Sequence, residues 1–168
     1  AHGAAGLNFH TGDKVAAGYA LQPSKYTAFY STTNGFEVRP LGYGIKAFEL
    51  GSHGRFIPTT IPNPDKINLS IYAVLGDDKK LCVTVINKEH GAQGRTAEVN
   101  LASEGFVRGE MICLTVPDNN VAAITGETLG GGVIQNDGSW NGSWRTLDSI
   151  SSVKVPPASA VIVRLSAN

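Results

Sequence analysis

The sequence predicts a mainly β protein: an antiparallel β-sandwich of jelly-roll type, preceded by a strand and a helix. Three observations predict it. From residue 55 onward, short runs alternate apolar and polar residues at a period of two. Turn clusters ("PDNN", "GGG", "NDG", "NGS") punctuate those runs. Finally, 20 Gly and 8 Pro among 168 residues leave room for few long helices and supply many turns.

The elements follow in chain order. Residues 4–9, "AAGLNF", read as a strand that breaks at Thr11-Gly12-Asp13. A Gly-, Ala-, Tyr- and Thr-rich stretch reads as loop to residue 36, with Tyr19, Tyr26, Phe29 and Tyr30 clustered in it. Residues 37–51 hold the one convincing helix. Pro40 suits the first turn, where its missing N–H costs nothing. Leu41, Ile45 and Phe48 make a stripe at i, i+4 and i+7, and Gly51 is a natural stop. Gly42 and Gly44 each weaken that helix by up to ~1 kcal/mol, which predicts a second backbone packed closely against it.

Residues 67–75 alternate as a half-buried strand. "GDDKK" turns the chain and "LCVTVIN" (81–87) returns it, a hairpin on pattern and turn chemistry together. Ala97, Val99 and Leu101 mark another alternating strand. "GEMICLTV" (109–116) is apolar on both faces at its centre, which places it inside a sheet. "SAVIVRL" (159–165) is a last near-continuous β run.

Composition narrows the function classes. Fourteen basic residues balance fourteen acidic ones. Zero net charge without Lys/Arg clusters argues against nucleic acid or an anionic membrane surface as the main partner. No apolar run approaches the ~20 residues that span a bilayer. Cys82 and Cys113 lie in separate apolar segments without metal-ligand spacing, so two buried thiols or a cross-strand disulfide are both open. His10, His53 and His90 are too scattered for a metal site. "LGGG" (129–132) lacks phosphate-loop spacing and a following helix, so it reads as a turn. No nucleophile elbow occurs, and no Glu or Asp ends a strongly apolar strand. No catalytic residue and no cofactor are therefore expected within these 168 residues. Trp140 and Trp144 flank "NGS" in a Gly-rich loop. They are candidates for stacking on sugar rings, or for closing one end of the sandwich.

The segments "GAAGLNFHTG", "YTAF" (26–29) and "RPLGYGIKAFELGSHGRFIP" (39–58) together resemble the C-terminal third of glycoside hydrolase family 79, which includes β-glucuronidases and heparanases. "VTVINKE" (83–89), "TLGGGVIQNDGSW" (128–140) and "VPPASAVIVRL" (155–165) extend the resemblance over the sandwich. Two positions depart from the family pattern: Ala28 stands where Pro is usual, and "PLGYG" lacks a second Tyr. The resemblance implies that residues 1–54 are the last strand, loop and helix of a (β/α)8 barrel and that residues 55–168 are the C-terminal sandwich domain. It implies that Gly6, Asn8, Phe9 and His10 reach the mouth of that barrel, where strand ends carry function. With Tyr26 they would line a uronic-acid subsite. A local alternative for Asn8 and His10 is to fix the strand–loop turn by hydrogen bonds. The resemblance further implies a retaining mechanism with two Glu residues, both upstream of Ala1. This chain would be the C-terminal piece of such an enzyme and inert alone. Its partners would be the N-terminal barrel portion and a glycan, and an extracellular or periplasmic setting is favoured. Two rival readings are a free-standing carbohydrate-binding module and a purely structural domain that braces a barrel. The expectation for stability is that residues 55–168 are the stable unit, with residues 1–54 held by another polypeptide or poorly packed.

Overall fold

The computed structural model describes residues 6–9 and 27–167. Among them, β-structure dominates and every strand pair is antiparallel.

A short hairpin opens the described part. β1 (Phe29–Thr32) pairs with β2 (Gly35–Val38), with Tyr30 opposite Glu37. Helix α1 (Pro40–Gly51) follows, with Pro at its first position. β3 (Arg55–Ile57), β4 (Leu69–Leu75) and β5 (Leu81–Asn87) form one side of the main sheet. β6 (Ala97–Asn100) leaves that sheet, β7 (Arg108–Thr115) returns to it, and β8 (Thr128–Leu129) and β9 (Arg145–Thr146) both pair with β7. β10 (Ser152–Val155) pairs with β6, and β11 (Ser159–Ser166) lies between β5 and β7.

The result is a seven-stranded sheet with a different cover on each face. On one face, Val83, Val85, Val161, Val163 and Leu165 meet Ala97, Val99, Val153 and Val155 of the β6–β10 ribbon. That is an unequal sandwich. On the other face, Ile112, Leu129 and Ile162 meet Tyr43 and Ala47 of α1. Alternation along β11 makes both cores possible, because Val161, Val163 and Leu165 point one way and Ile162 the other. All four are at most 1% exposed, which accounts for the continuous apolar run in the sequence.

The helix differs from its sequence reading in which face it buries. Tyr43, Ala47 and Gly51 are buried, while Phe48 is 71% exposed. The stripe of Leu41, Ile45 and Phe48 is thus not the face that packs on the sheet. Small residues decide this: Gly51 lets the helix backbone come down on Ile162 and Thr84 side chains, where a larger residue would hold it off. Only half of the close-packing expectation for the glycine pair is met. A Cβ on Gly42 would lie 2.7 Å from the Ala28 carbonyl oxygen, whereas one on Gly44 would meet nothing within 4 Å.

The expected strand over 4–9 is not formed at its described residues. Positions 6–9 carry no strand and are exposed. No described strand pairs with them, and a strand without a neighbour leaves its backbone groups unbonded. "LGGG" is the expected turn: Gly130 and Gly131 have φ of +62° and +72°, and Leu129 and Gly132 exchange both backbone hydrogen bonds. Both cysteines are free. They project from opposite faces of the sheet, since Cys82 neighbours Arg164 while Cys113 neighbours Val161, so no bond can join them.

Candidate functional site

Residues 6–9 contain three of the residues expected to line a subsite. Gly6, Asn8 and Phe9 are all exposed, with Phe9 at 42%. His10 and Tyr26 lie outside the described residues. Of the five, Gly6, Asn8 and Phe9 are thus the described ones. The chain becomes describable again at Thr27 and Ala28, which are 1% and 8% exposed. The Ala28 carbonyl accepts the Arg39 N–H at 2.8 Å, which ties this segment to the start of α1.

The hairpin that follows carries a polar cluster that sequence reading passed over. Tyr30 donates its phenolic hydrogen to Glu37 Oε2 in a short hydrogen bond. The hydrogen bond to Glu37 holds the Tyr30 phenol above its ordinary range, because ionisation would set two anions side by side. The Arg39 guanidinium lies 4.3 Å above the Tyr30 ring centre, and its Nη1 is 3.6 Å from Glu37 Oε1. Arg39 Nη1 also donates to the Ile124 carbonyl at 3.1 Å, joining the hairpin to the loop before β8. Arg39 Nε and Glu127 Oε1 are buried without hydrogen-bond partners. The signal for this cluster was Asn34-Gly35. The two-residue loop is Thr33-Asn34, with Gly35 at φ +119° opening β2 opposite Thr32, and the register sets Tyr30 across from Glu37. Phe29 and Phe36 stack edge to face at 5.6 Å on the same hairpin and remain 41% and 49% exposed.

Both tryptophans are engaged by the protein. The Trp140 indole N–H donates to the Leu129 carbonyl at 3.0 Å, and Lys46 of α1 sits 5.8 Å from its ring centre. Trp144 carries the Arg164 guanidinium at 4.2 Å. Both rings pack against the core shared by α1 and the sheet. They act as a clasp between the helix and β7–β8, with one cation over each ring.

Among the described residues, no group of three or more His, Cys, Asp or Glu side chains could hold a metal ion. No described helix is long and apolar enough to cross a membrane. Burial raises the Cys82 and Cys113 thiols above their ordinary range, so neither is primed as a nucleophile. Tyr30 and Glu37 of the hairpin and Arg39 at the start of α1 form one mutually bonded cluster.

No family model matches the sequence, and no curated protein does. Solved structures match the fold. An arabinofuranosidase superposes with a TM-score of 0.57 at 17% identity, over 88% of this chain and 32% of that one. An α-L-arabinofuranosidase from Thermotoga maritima, solved with arabinose, gives 0.59 at 16% identity, over 83% and 31%. The catalytic domain of a family 30 xylanase C from Talaromyces cellulolyticus gives 0.53 at 11% identity, over 84% and 27%. All three are glycoside hydrolases, and at these identities the likeness is one of fold. This chain spans about a third of each.

Proposed function

We propose that this chain is the C-terminal portion of a retaining glycoside hydrolase of the family 79 type, acting on β-glucuronides or related uronic-acid glycans. In this reading residues 1–54 complete a (β/α)8 barrel and residues 55–168 brace it. Gly6, Asn8, Phe9, His10 and Tyr26 then line the uronic-acid subsite, and the two catalytic Glu residues belong to the N-terminal barrel portion, the chain's main partner.

The observation that carries the reading is the two-sided helix. One face of α1, at Tyr43, Ala47 and Gly51, is docked on the sheet; the other keeps Phe48 71% exposed. A helix apolar on both sides is built to lie between two layers. The span of about a third of each glycoside hydrolase that shares the fold supplies room for a second layer.

The test uses an aryl β-glucuronide and an aryl α-L-arabinofuranoside. The isolated 168-residue chain is expected to hydrolyse neither. The longer native gene product is expected to cleave the glucuronide with retention at the anomeric carbon, seen by proton NMR. Turnover by the isolated chain, or a parent that cleaves only the arabinofuranoside, overturns the proposal.

A purely bracing role for the sandwich is favoured by the engagement of Trp140 and Trp144 in the clasp. Under that second reading, replacing either ring weakens the fold and leaves substrate preference unchanged.

A further inference from the structure

At one end of the main sheet lies a cleft of about 510 Å³, within the size range of small-ligand sites, about 300–1,000 Å³. Its lining comes from the start of β7, the ends of β9 and β11, and Lys80 just ahead of β5. Antiparallel pairing brings those strand ends together. On the face that also carries Ile112 and Ile162, Glu110 stands opposite Arg164 and Arg108 opposite Ser166. Leu147 and Ile150 belong to the core on the other face, and they come up against Gly109 of β7. A Cβ there would lie 2.6 Å from Leu147 Cδ1. The cleft thus takes polar lining from one face of the sheet and apolar lining from the other.

Three cations line it, Lys80, Arg108 and Arg164, against one carboxylate, Glu110. Two of the three are already met. Lys80 Nζ lies 2.8 Å from Asp78 Oδ2. Arg164 donates through Nε and Nη2 to Glu110 Oε1 at 2.7 and 2.6 Å, and the Trp144 ring stacks on its guanidinium at 4.2 Å. Arg108 is exposed and forms no ion pair among the described residues. One positive charge is left over beside a fixed polar frame.

That balance selects a singly charged anion. A dianion would call on a second cation, and the other two are held by carboxylates. A monoanion needs Arg108 alone, and the planar guanidinium matches a carboxylate with two parallel hydrogen bonds. Around it, Arg164 Nη1 and Glu110 Oε2 stay outside their own pair, and Thr146 and Ser166 carry hydroxyls that donate or accept. A carboxylate borne on a ring of hydroxyls uses all of these, and its C–H face suits Leu147 and Ile150.

We propose that this cleft binds the carboxylate of an acidic sugar through Arg108, with the ring hydroxyls on the Glu110–Arg164 pair. The charge balance carries the carboxylate; the choice of a uronic acid as its bearer rests on the functional reading above. The experiment titrates the whole 168-residue chain with methyl β-D-glucuronide, and with methyl β-D-glucoside and inorganic phosphate for comparison, followed by amide chemical shifts. The glucuronide is expected to bind with a dissociation constant of about 5 mM or below and to move the amides of 107–110, 146–147 and 164–166. Raising salt from about 0.02 to about 0.5 M is expected to weaken it severalfold through screening. Arg108→Gln is expected to weaken it by about tenfold, in line with the loss of a charged hydrogen bond. Lys154→Gln, exposed on β10 and outside the lining, is expected to leave it unchanged. Thr146→Glu, at an exposed position of β9, adds a second carboxylate to the lining. It is the second variant should Arg108→Gln fail to fold, and is expected to abolish binding. No glucuronide binding, equal affinity for the glucoside, tighter binding of phosphate, or binding indifferent to Arg108→Gln and Thr146→Glu overturns the proposal. A parent enzyme that cleaves β-glucuronides while this chain binds none overturns the cleft alone. Binding lost in Arg108→Gln, beside a parent without activity on β-glucuronides, overturns the functional reading alone.

Discussion

At the residue scale, two glycines one turn-step apart do opposite things. Gly42 sits under the Ala28 carbonyl, and Gly44 faces open space. Gly42→Ala is expected to destabilise the chain by ~1–3 kcal/mol, the usual cost of overpacking. Gly44→Ala should stabilise it by up to ~1 kcal/mol through helix propensity. Urea melts of the two variants check this; equal effects of one sign would refute the packing. The sequence carries the cost of both glycines but not the reason, since only the fold brings Ala28 beside one of them. Asn87 shows the same limit. It lies inside an apolar strand run and is 1% exposed, yet it is fully used: Nδ2 donates to the Arg95 and Val155 carbonyls, and Oδ1 accepts the Glu89 N–H. A buried amide needs such partners, and those partners come from three segments.

At the scale of elements, period-two patterning made β4, β5, β6, β7 and β11 legible, because each strand buries one face or both. The hairpin β1–β2 was not. Phe29 and Phe36 stay exposed, so no alternation marks it, and its one signal is Asn34-Gly35 at the end of its two-residue loop. The helix was legible in its extent but not in its packing. Phe48 faces away with Leu41 and Ile45 half-buried, and the face with Tyr43, Ala47 and Gly51 is the one that fits the sheet. Phe48→Lys is therefore expected to leave the stability of the isolated chain within ~0.5 kcal/mol. Trp140→Ala, which opens the clasp over α1, should cost ~3 kcal/mol. Thermal and urea denaturation of both variants measure the contrast, and a larger loss in Phe48→Lys would show that the outer face is covered within this chain. The candidate subsite was the least legible part. Its residues arrive through the resemblance, and Gly6, Asn8 and Phe9 join no strand among the described residues.

At the scale of the whole molecule, distant segments are pinned by one ion pair. Arg95 donates through Nε and Nη2 to the Glu89 carboxylate at 3.1 and 2.7 Å, and through Nη1 and Nη2 to the Asp65 and Lys66 carbonyls. Glu89 Oε1 also accepts the Asn68 N–H. The Arg95 hydrogen bonds and that backbone N–H hold the Glu89 carboxyl down at about 2. Hydrogen bonding to Lys46 and Lys80 lowers Glu49 and Asp78 as well. A carboxyl depressed in the fold contributes stability that is complete above its unfolded value, about 4.5 for Glu, and is lost as pH falls toward the folded one. The chain should therefore lose stability steadily from about pH 4.5 to about pH 2. Glu89→Gln should flatten that slope, as followed by midpoint temperature against pH. An unchanged slope would show that the pair contributes nothing.

The position of β11 has a consequence for biosynthesis. It follows every other described strand, yet it is an inner member of the sheet, paired with β5 from Ser159 to Leu165 and with β7 from Ser159 to Ser166. While a ribosome is still making residues 159–166, β5 and β7 have no bridge between them and both hydrophobic layers lack their centre. Until residues 159–166 clear the exit tunnel, β5 and β7 keep open edges toward each other, and that interval is the one most exposed to misassembly.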